Sequence, residues 1–184
     1  MSTSLNIQGL SKYRNNFIFI SKERTSRVEF DLKTLSQESI DNAFKKQARR
    51  TKALDQLNEY TIVLLETNYT NKYEIIDFDT YKISSVNRTF VEIISNIQYF
   101  QSPEVVIDLF KNIKEKLNIE KIYNVIEKFD FVYPYYQLAG YYLEEIGYSK
   151  DELDKFYSKK TELKFYTQKA KSYYHFNEYW NIYF

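Results

Sequence analysis

The 184-residue chain contains one histidine and no cysteine, and these two counts remove much chemistry. Without thiols there is no cysteine nucleophile, no disulfide and no zinc site built on sulfur, and a single imidazole, His175, cannot supply a pair of metal ligands. A Ser-His-Asp arrangement would have to run through His175, which stands in Tyr173-Tyr174-His175-Phe176 and reads as a packed structural residue. The three glycines, Gly9, Gly140 and Gly147, are too scattered for a Gly-x-x-x-x-Gly-Lys-Ser/Thr phosphate loop or a Gly-x-Gly dinucleotide turn. Asp77 and Asp79 make an Asp-x-Asp of the kind that can hold Mg²⁺ at a strand end. Nothing else in the sequence completes that motif, and a solvated strand edge is the expected reading. No catalytic residue, metal or cofactor is therefore expected.

The candidates for binding are richer. Lys45-Lys46-Gln47-Ala48-Arg49-Arg50-Thr51-Lys52 places five cations in eight residues. Cations at a helix end complement its dipole, and the excess beyond that need reads as a phosphate-contact patch. Tyr133-Pro134-Tyr135-Tyr136, with Tyr141-Tyr142 just beyond, concentrates rings that either pack in a core or stack on bases. The 19 tyrosines accompany an equal richness in other residues with A/T-rich codons, so their number alone does not argue for a stacking surface. Charge is segregated: residues 1–60 carry 11 basic and 7 acidic groups, residues 61–157 carry 10 and 16, and residues 158–184 carry 5 and 2. Basic ends thus flank an acidic middle, as expected of a face for a charged partner or of two ends folding back on the centre.

These residues need elements to position them. Asn16 to Lys22 and Ser26 to Lys33 read as strands, the second through the alternation of Val28, Phe30 and Leu32. Leu35-Ser36-Gln37-Glu38-Ser39 supplies an N-cap before a helix over 37–49 with Ile40, Ala43, Phe44 and Gln47 on one stripe. Tyr60 to Leu65 is β-branched and apolar, a buried strand with Tyr73–Phe78 and Tyr81–Ser84 as candidate neighbours. From Asn87 the period becomes helical. Phe90, Val91, Ile93, Ile94 and Ile97 share a stripe, Ser102-Pro103 starts the next helix, and Asn118 caps a short one carrying Ile119, Ile122, Tyr123, Ile126 and Phe129. Pro134 opens another that closes at Gly147 in a left-handed residue. Gly140 inside it costs about 1 kcal/mol relative to Ala, which predicts close approach of a neighbouring helix. Ser149 caps a helix over 150–158. Leu163–Tyr166 is the end of a helix or a strand, and Tyr179–Phe184 is an aromatic segment packed back on the body.

The expected architecture is α+β: a small N-terminal β-sheet with one helix in residues 1–86, then a C-terminal helical bundle in 87–184, together one compact unit. The amino terminus has no signal-peptide pattern, and no window approaches about 18 apolar residues, so a cytoplasmic protein without a membrane contact is expected.

The order of segments resembles the AbiEi family of antitoxins, from type IV toxin-antitoxin pairs of abortive infection. The likeness runs over residues 35–184. It is carried by the helix with a basic ending at Ala43-Phe44-Lys45-Lys46-Gln47, by Ser84-Ser85-Val86-Asn87-Arg88-Thr89-Phe90-Val91-Glu92, and by Phe129 to Tyr148 with its Tyr133-Pro134-Tyr135. Asn87 and Glu92 stand where the family commonly has Glu and Asp, and Tyr136 where it commonly has His. Residues 1–34 are too short and too strand-like for the winged helix that opens longer members, so the resemblance implies either the antitoxin domain alone or a shortened relative with another partner. It further implies neutralisation of a nucleotidyltransferase-like toxin without catalysis. Arg88, a guanidinium at a helix start, calls for a carboxylate partner. The residues expected to meet a partner or nucleic acid are Lys45, Lys46, Arg49, Arg50, Lys52, Arg88, Tyr133, Tyr135 and Tyr136. The alternative to an antitoxin is a nucleic-acid-binding accessory domain of phage defence.

Overall fold

A computed structural model of the chain describes residues 1–13, 16–26 and 35–184. The strand expected over Ser26–Lys33 lies almost wholly outside them. The architecture is α+β, and the chain folds as two compact units, each assembled from three separated stretches.

The first unit takes the described residues of Met1–Glu29, Arg50–Ile93 and Glu115–Asp130. A short helix α1 (Ser2–Ile7) precedes strand β1 (Phe17–Glu23). β1 runs parallel to β3 (Tyr60–Thr67), with Phe19 opposite Val63, and β2 (Leu54–Leu57) pairs antiparallel on the other edge of β3. The strands β4 (Ile75–Phe78) and β5 (Tyr81–Ser84) were expected to join β3; they form their own two-stranded hairpin instead. Two helices complete the unit, α3 (Val86–Ile94) and α5 (Ile119–Phe129). Asn118 caps α5 by accepting from the Lys121 N–H at 2.9 Å, and its own N–H donates to Asn87 Oδ1 at 2.7 Å, which ties the start of α5 to the start of α3. Phe19, Val63, Leu65, Ile83, Phe90, Val91, Ile122 and Ile126 form the core.

The second unit takes the described residues of Phe30–Arg49, Ile94–Lys114 and Phe131–Phe184. Helix α2 (Gln37–Lys45) starts in a capping box: Ser36 Oγ accepts from the Ser39 N–H, and Ser39 Oγ accepts from the Ser36 N–H at 3.1 Å. It stops at Lys45, four residues short of the expected end, so Lys46 to Arg49 leave the helix. Pro103 begins α4 (Pro103–Lys111), where its missing N–H has no helical partner to lose.

The centre of this unit is α6 (Tyr135–Ile146), against which α4, α7 (Asp154–Tyr157) and the C-terminal strands pack. Gly147 closes α6 at φ +112°, with the Tyr148 N–H reaching back to the Leu143 carbonyl at 3.0 Å, the Schellman closure a left-handed glycine permits. The tail is a three-stranded sheet of β6 (Phe165–Tyr166), β7 (Phe176–Asn177) and β8 (Ile182–Tyr183) in the order β6-β8-β7. The fully buried Gln137 fastens this tail to α6: its Nε2 donates to the Leu163 carbonyl at 2.8 Å and its Oε1 accepts from the Thr161 N–H at 3.0 Å. Gly140 meets the ring of the buried Trp180, at the turn before β8. A helix was expected to approach there; an indole does.

Candidate functional site

Two clusters of charged and aromatic residues stand out, one in each unit, and they hold only some of the residues singled out above. In the first unit, Arg88 is the hub. Only 1% exposed, it is one of the largest fully buried side chains. Its Nε donates to Glu92 Oε1 at 2.8 Å, one helical turn on, and Nη1 donates to Thr70 Oγ1 at 2.8 Å and to the Tyr73 carbonyl at 2.6 Å. Nη2 lies 3.4 Å from Glu23 Oε2, and the guanidinium carbon sits 5.0 Å from the centre of the Phe129 ring. Glu92 also accepts from the Ser84 hydroxyl at 2.9 Å and lies 3.4 Å from the Met1 amino group.

Burial alone would raise the Glu92 carboxyl, but the amino group, Arg88 and the Ser84 hydroxyl outweigh it and hold it below its ordinary value. Glu23 behaves alike. Its burial opposes ionisation, while the backbone N–H groups of Lys72 and Thr70, the Thr70 hydroxyl and Arg88 prevail. The arrangement satisfies every guanidinium nitrogen internally. It braces α3 against β1, the Thr70–Tyr73 turn and α5, and offers no group to a ligand.

In the second unit the aromatic residues of α2 and the tail form a continuous stack. Phe44 lies against Tyr166 with ring centres 5.0 Å apart and planes 15° from parallel, and Tyr166 lies against Tyr183 at 4.8 Å and 26°. Tyr174 meets Tyr166 edge-on at 5.1 Å. Beside the stack is a groove of about 690 Å³ that these rings line together with Asp41, Lys45, Lys171 and Tyr173. The Tyr166 hydroxyl donates to Asp41 Oδ1 at 2.8 Å, and the Tyr174 hydroxyl accepts from the Lys171 N–H and donates to the Gln168 carbonyl, both at 3.1 Å. Lys169 Nζ stands 5.1 Å from the centre of the Phe44 ring. Partial burial and the nearby charges of Arg49 and Lys46 depress its pKa.

The expected binding residues are thereby distributed. Lys45 lines the groove, and Lys46 and Arg49 are exposed, their charges felt at Lys169. Arg50 and Lys52 belong to the first unit, as does the buried Arg88. Tyr133 and Tyr135 are half-buried and pack on Phe165, at 5.4 Å and 5.6 Å, while Tyr136 meets Phe156 edge-on at 6.4 Å. The Tyr135 hydroxyl is pushed well up by burial and then by its neighbour Tyr133. These three rings hold α6 to its surroundings, and the rings at the groove are Tyr166, Tyr173, Tyr174 and Tyr183, which sequence reasoning did not select. The signal available was the basic balance of residues 158–184 coinciding with their aromatic density.

Neither remaining chemical candidate is assembled into a site. His175 is exposed in the tail sheet, its ring 5.0 Å from that of Tyr173 and 5.5 Å from that of Phe184. Asp77 and Lys82, both exposed, pair across the β4–β5 hairpin at 2.5 Å, and Asp79 occupies its turn at φ +52°. Among the described residues no group of three or more His, Asp or Glu is placed to hold a metal ion, and no helix is long and apolar enough to cross a membrane. No family model matches the chain, and no curated protein or solved structure does so.

Proposed function

We propose that this chain is a non-catalytic, antitoxin-type protein of the cytoplasm that counteracts a nucleotidyltransferase-like toxin through its exterior. The segment from Ser85 to Glu92 carries this reading. Its two charged side chains, Arg88 and Glu92, bond to each other at 2.8 Å with each only 2% exposed, so one of the two segments that mark the resemblance to antitoxins acts as a brace. An active-centre motif turns such groups toward solvent, where a substrate can reach them; here they turn inward.

The second marker supports the same conclusion. Tyr133 and Tyr135 pack on Phe165, and Gly140 takes the face of Trp180. With these two motifs serving the scaffold, the exposed cations Lys45, Lys46 and Arg49 are what is left to meet a partner.

The direct test is co-expression with a nucleotidyltransferase encoded beside this chain. Restored growth is the expected result, with retention of rescue by an Asp77→Asn, Asp79→Asn variant. Unchanged toxicity in the presence of folded protein would overturn the proposal.

A further inference from the structure

We infer that the groove of the second unit binds a single-stranded nucleic acid, whose bases stack on the tyrosine rings and whose phosphates meet the cations at its rim. The groove has a size usual for ligand sites, about 690 Å³. Its walls are rings and its rim is basic. Lys45 and Lys171 line it, and Lys169 Nζ stands 5.1 Å from the centre of the Phe44 ring, within electrostatic reach of Lys46 and Arg49. Among the described residues, no ion pair occupies Lys45, Lys46, Arg49 or Lys169. Partial burial, and then the charges of Arg49 and Lys46, already disfavour the charged form of Lys169, and an anion seated beside it favours that form.

Part of each basic end of the chain therefore meets at one aromatic surface. Residues 45–49 come from the N-terminal basic stretch and 169–171 from the C-terminal one, separated in sequence by the acidic middle. Cations alone would suit any polyanion; rings alone would suit any apolar partner. Their combination selects a ligand that repeats a planar face and a phosphate, which is the chemistry of an unpaired strand. A duplex hides its base faces within the stack and leaves only edges and backbone to read, so the tyrosines would have nothing to do.

Asp41, the acid in the groove, keeps its negative charge and is outnumbered by the lining lysines Lys45 and Lys171. Its Oδ1 accepts from the Tyr166 hydroxyl at 2.8 Å and from Gln37 Nε2 at 2.7 Å, so the carboxylate serves to hold the ring wall. With Tyr174 also anchored through its hydroxyl, the platform exists before any ligand arrives. Tyr173 is the exception, being 66% exposed, and it is the ring a base can reach with least rearrangement.

The experiment is fluorescence anisotropy with a fluorescein-labelled RNA of about 12 nucleotides, a length within the usual range for such grooves. The same sequence as DNA, its duplex, and free ATP as competitor complete the set. The unpaired strands are expected to bind at about 50 mM salt and to weaken with a log–log slope of roughly 0.7 per phosphate neutralised. The duplex should bind at least tenfold more weakly. Tyr173→Ala should weaken the strand about tenfold with the salt slope unchanged, and Tyr173→Trp should restore it. Lys45→Gln with Lys171→Gln should flatten the slope.

Four results would each overturn the inference: no binding at low salt, equal affinity for duplex and single strand, an unchanged Tyr173→Ala, or displacement of the strand by ATP at equal concentration. A fall in thermal midpoint for Tyr173→Ala shifts the decision to the lysine variant's slope, which does not rely on that ring. Toxin rescue is a separate readout, so failure here leaves the antitoxin proposal standing and the reverse also holds.

Discussion

The indole of Trp180 occupies the space that a side chain at position 140 would fill, so that a Cβ built on Gly140 falls inside the van der Waals envelope of the ring. The contact joins α6 to the C-terminal sheet, and the indole Nε1–H donates to Glu144 Oε2 at 2.5 Å from the same helix. Ring and glycine are thus one joint, fixed by shape at one point and by a hydrogen bond a turn away.

Gly140→Ala is expected to destabilise the protein by about 1–3 kcal/mol in urea unfolding, because overpacking against a buried ring outweighs the roughly 1 kcal/mol that alanine gains over glycine in a helix. The pair Gly140→Ala with Trp180→Leu should cost less than the sum of the two single changes. Strict additivity would show that the residues do not share the contact.

Arg88 makes a comparable joint in the first unit, by charge. Arg88→Ala leaves Glu92, 2% exposed, without its nearest counter-charge, and breaking a buried pair from one side costs about 3–5 kcal/mol. Arg88→Met with Glu92→Leu removes both of these charges and keeps volume, but it leaves the Met1 amino group and Glu23 without those partners, so it should recover only part of that loss. Equal destabilisation by the single and the double variant in denaturant melts would exclude a charge-based brace.

The same network sets an acid limit. Glu92 and Glu23 have folded-state pKa values below their ordinary one, so each contributes stability that is complete above the unfolded-state value of about 4.3 and is lost as pH falls through the lower folded value. Stability should therefore decline below about pH 5. Glu92→Gln, less stable at neutral pH, should show a shallower decline, the two curves converging in acid. Parallel curves from thermal midpoints at stepped pH would place the titrating groups elsewhere.

Much of this was readable locally. Ser36 and Asn118 as caps, Pro103 at a helix start, and Gly147 at a helix end each act within four residues of themselves, and each element they bound is where they put it. Distance in sequence erased the rest. Helix α1 has only six residues and no side-chain cap; it is held by tertiary bonds, Thr3 Oγ1 accepting from the Phe19 N–H at 3.0 Å and Gln8 donating to the Ser84 carbonyl at 3.2 Å. The tail strands are two residues each and carry no periodicity to detect.

The groove shows the limit most sharply. Lys45 was selected because its charge is conspicuous in a run, whereas Tyr166 and Tyr183 matter only through a stack with Phe44, more than a hundred residues away. Conversely, the Tyr-Pro-Tyr cluster drew notice by density, and density there reflects packing on Phe165.

Ala170 offers a last test at the lip of the groove. Its φ is +53°, in the left-handed region, while its N–H donates to the Phe44 carbonyl at 2.8 Å. The bond ties the tail to the end of α2 and holds alanine in a conformation that costs an L-residue with a Cβ roughly 1–2 kcal/mol. Ala170→Gly removes that strain and is expected to raise stability by up to about 1 kcal/mol, since part of the gain is returned through the greater freedom of glycine in the unfolded chain. Ala170→Val should lower stability, its branched side chain tolerating positive φ worst. A destabilised glycine variant in urea melts would mean that the methyl group packs productively and that the left-handed turn, not its strain, is what the tail needs.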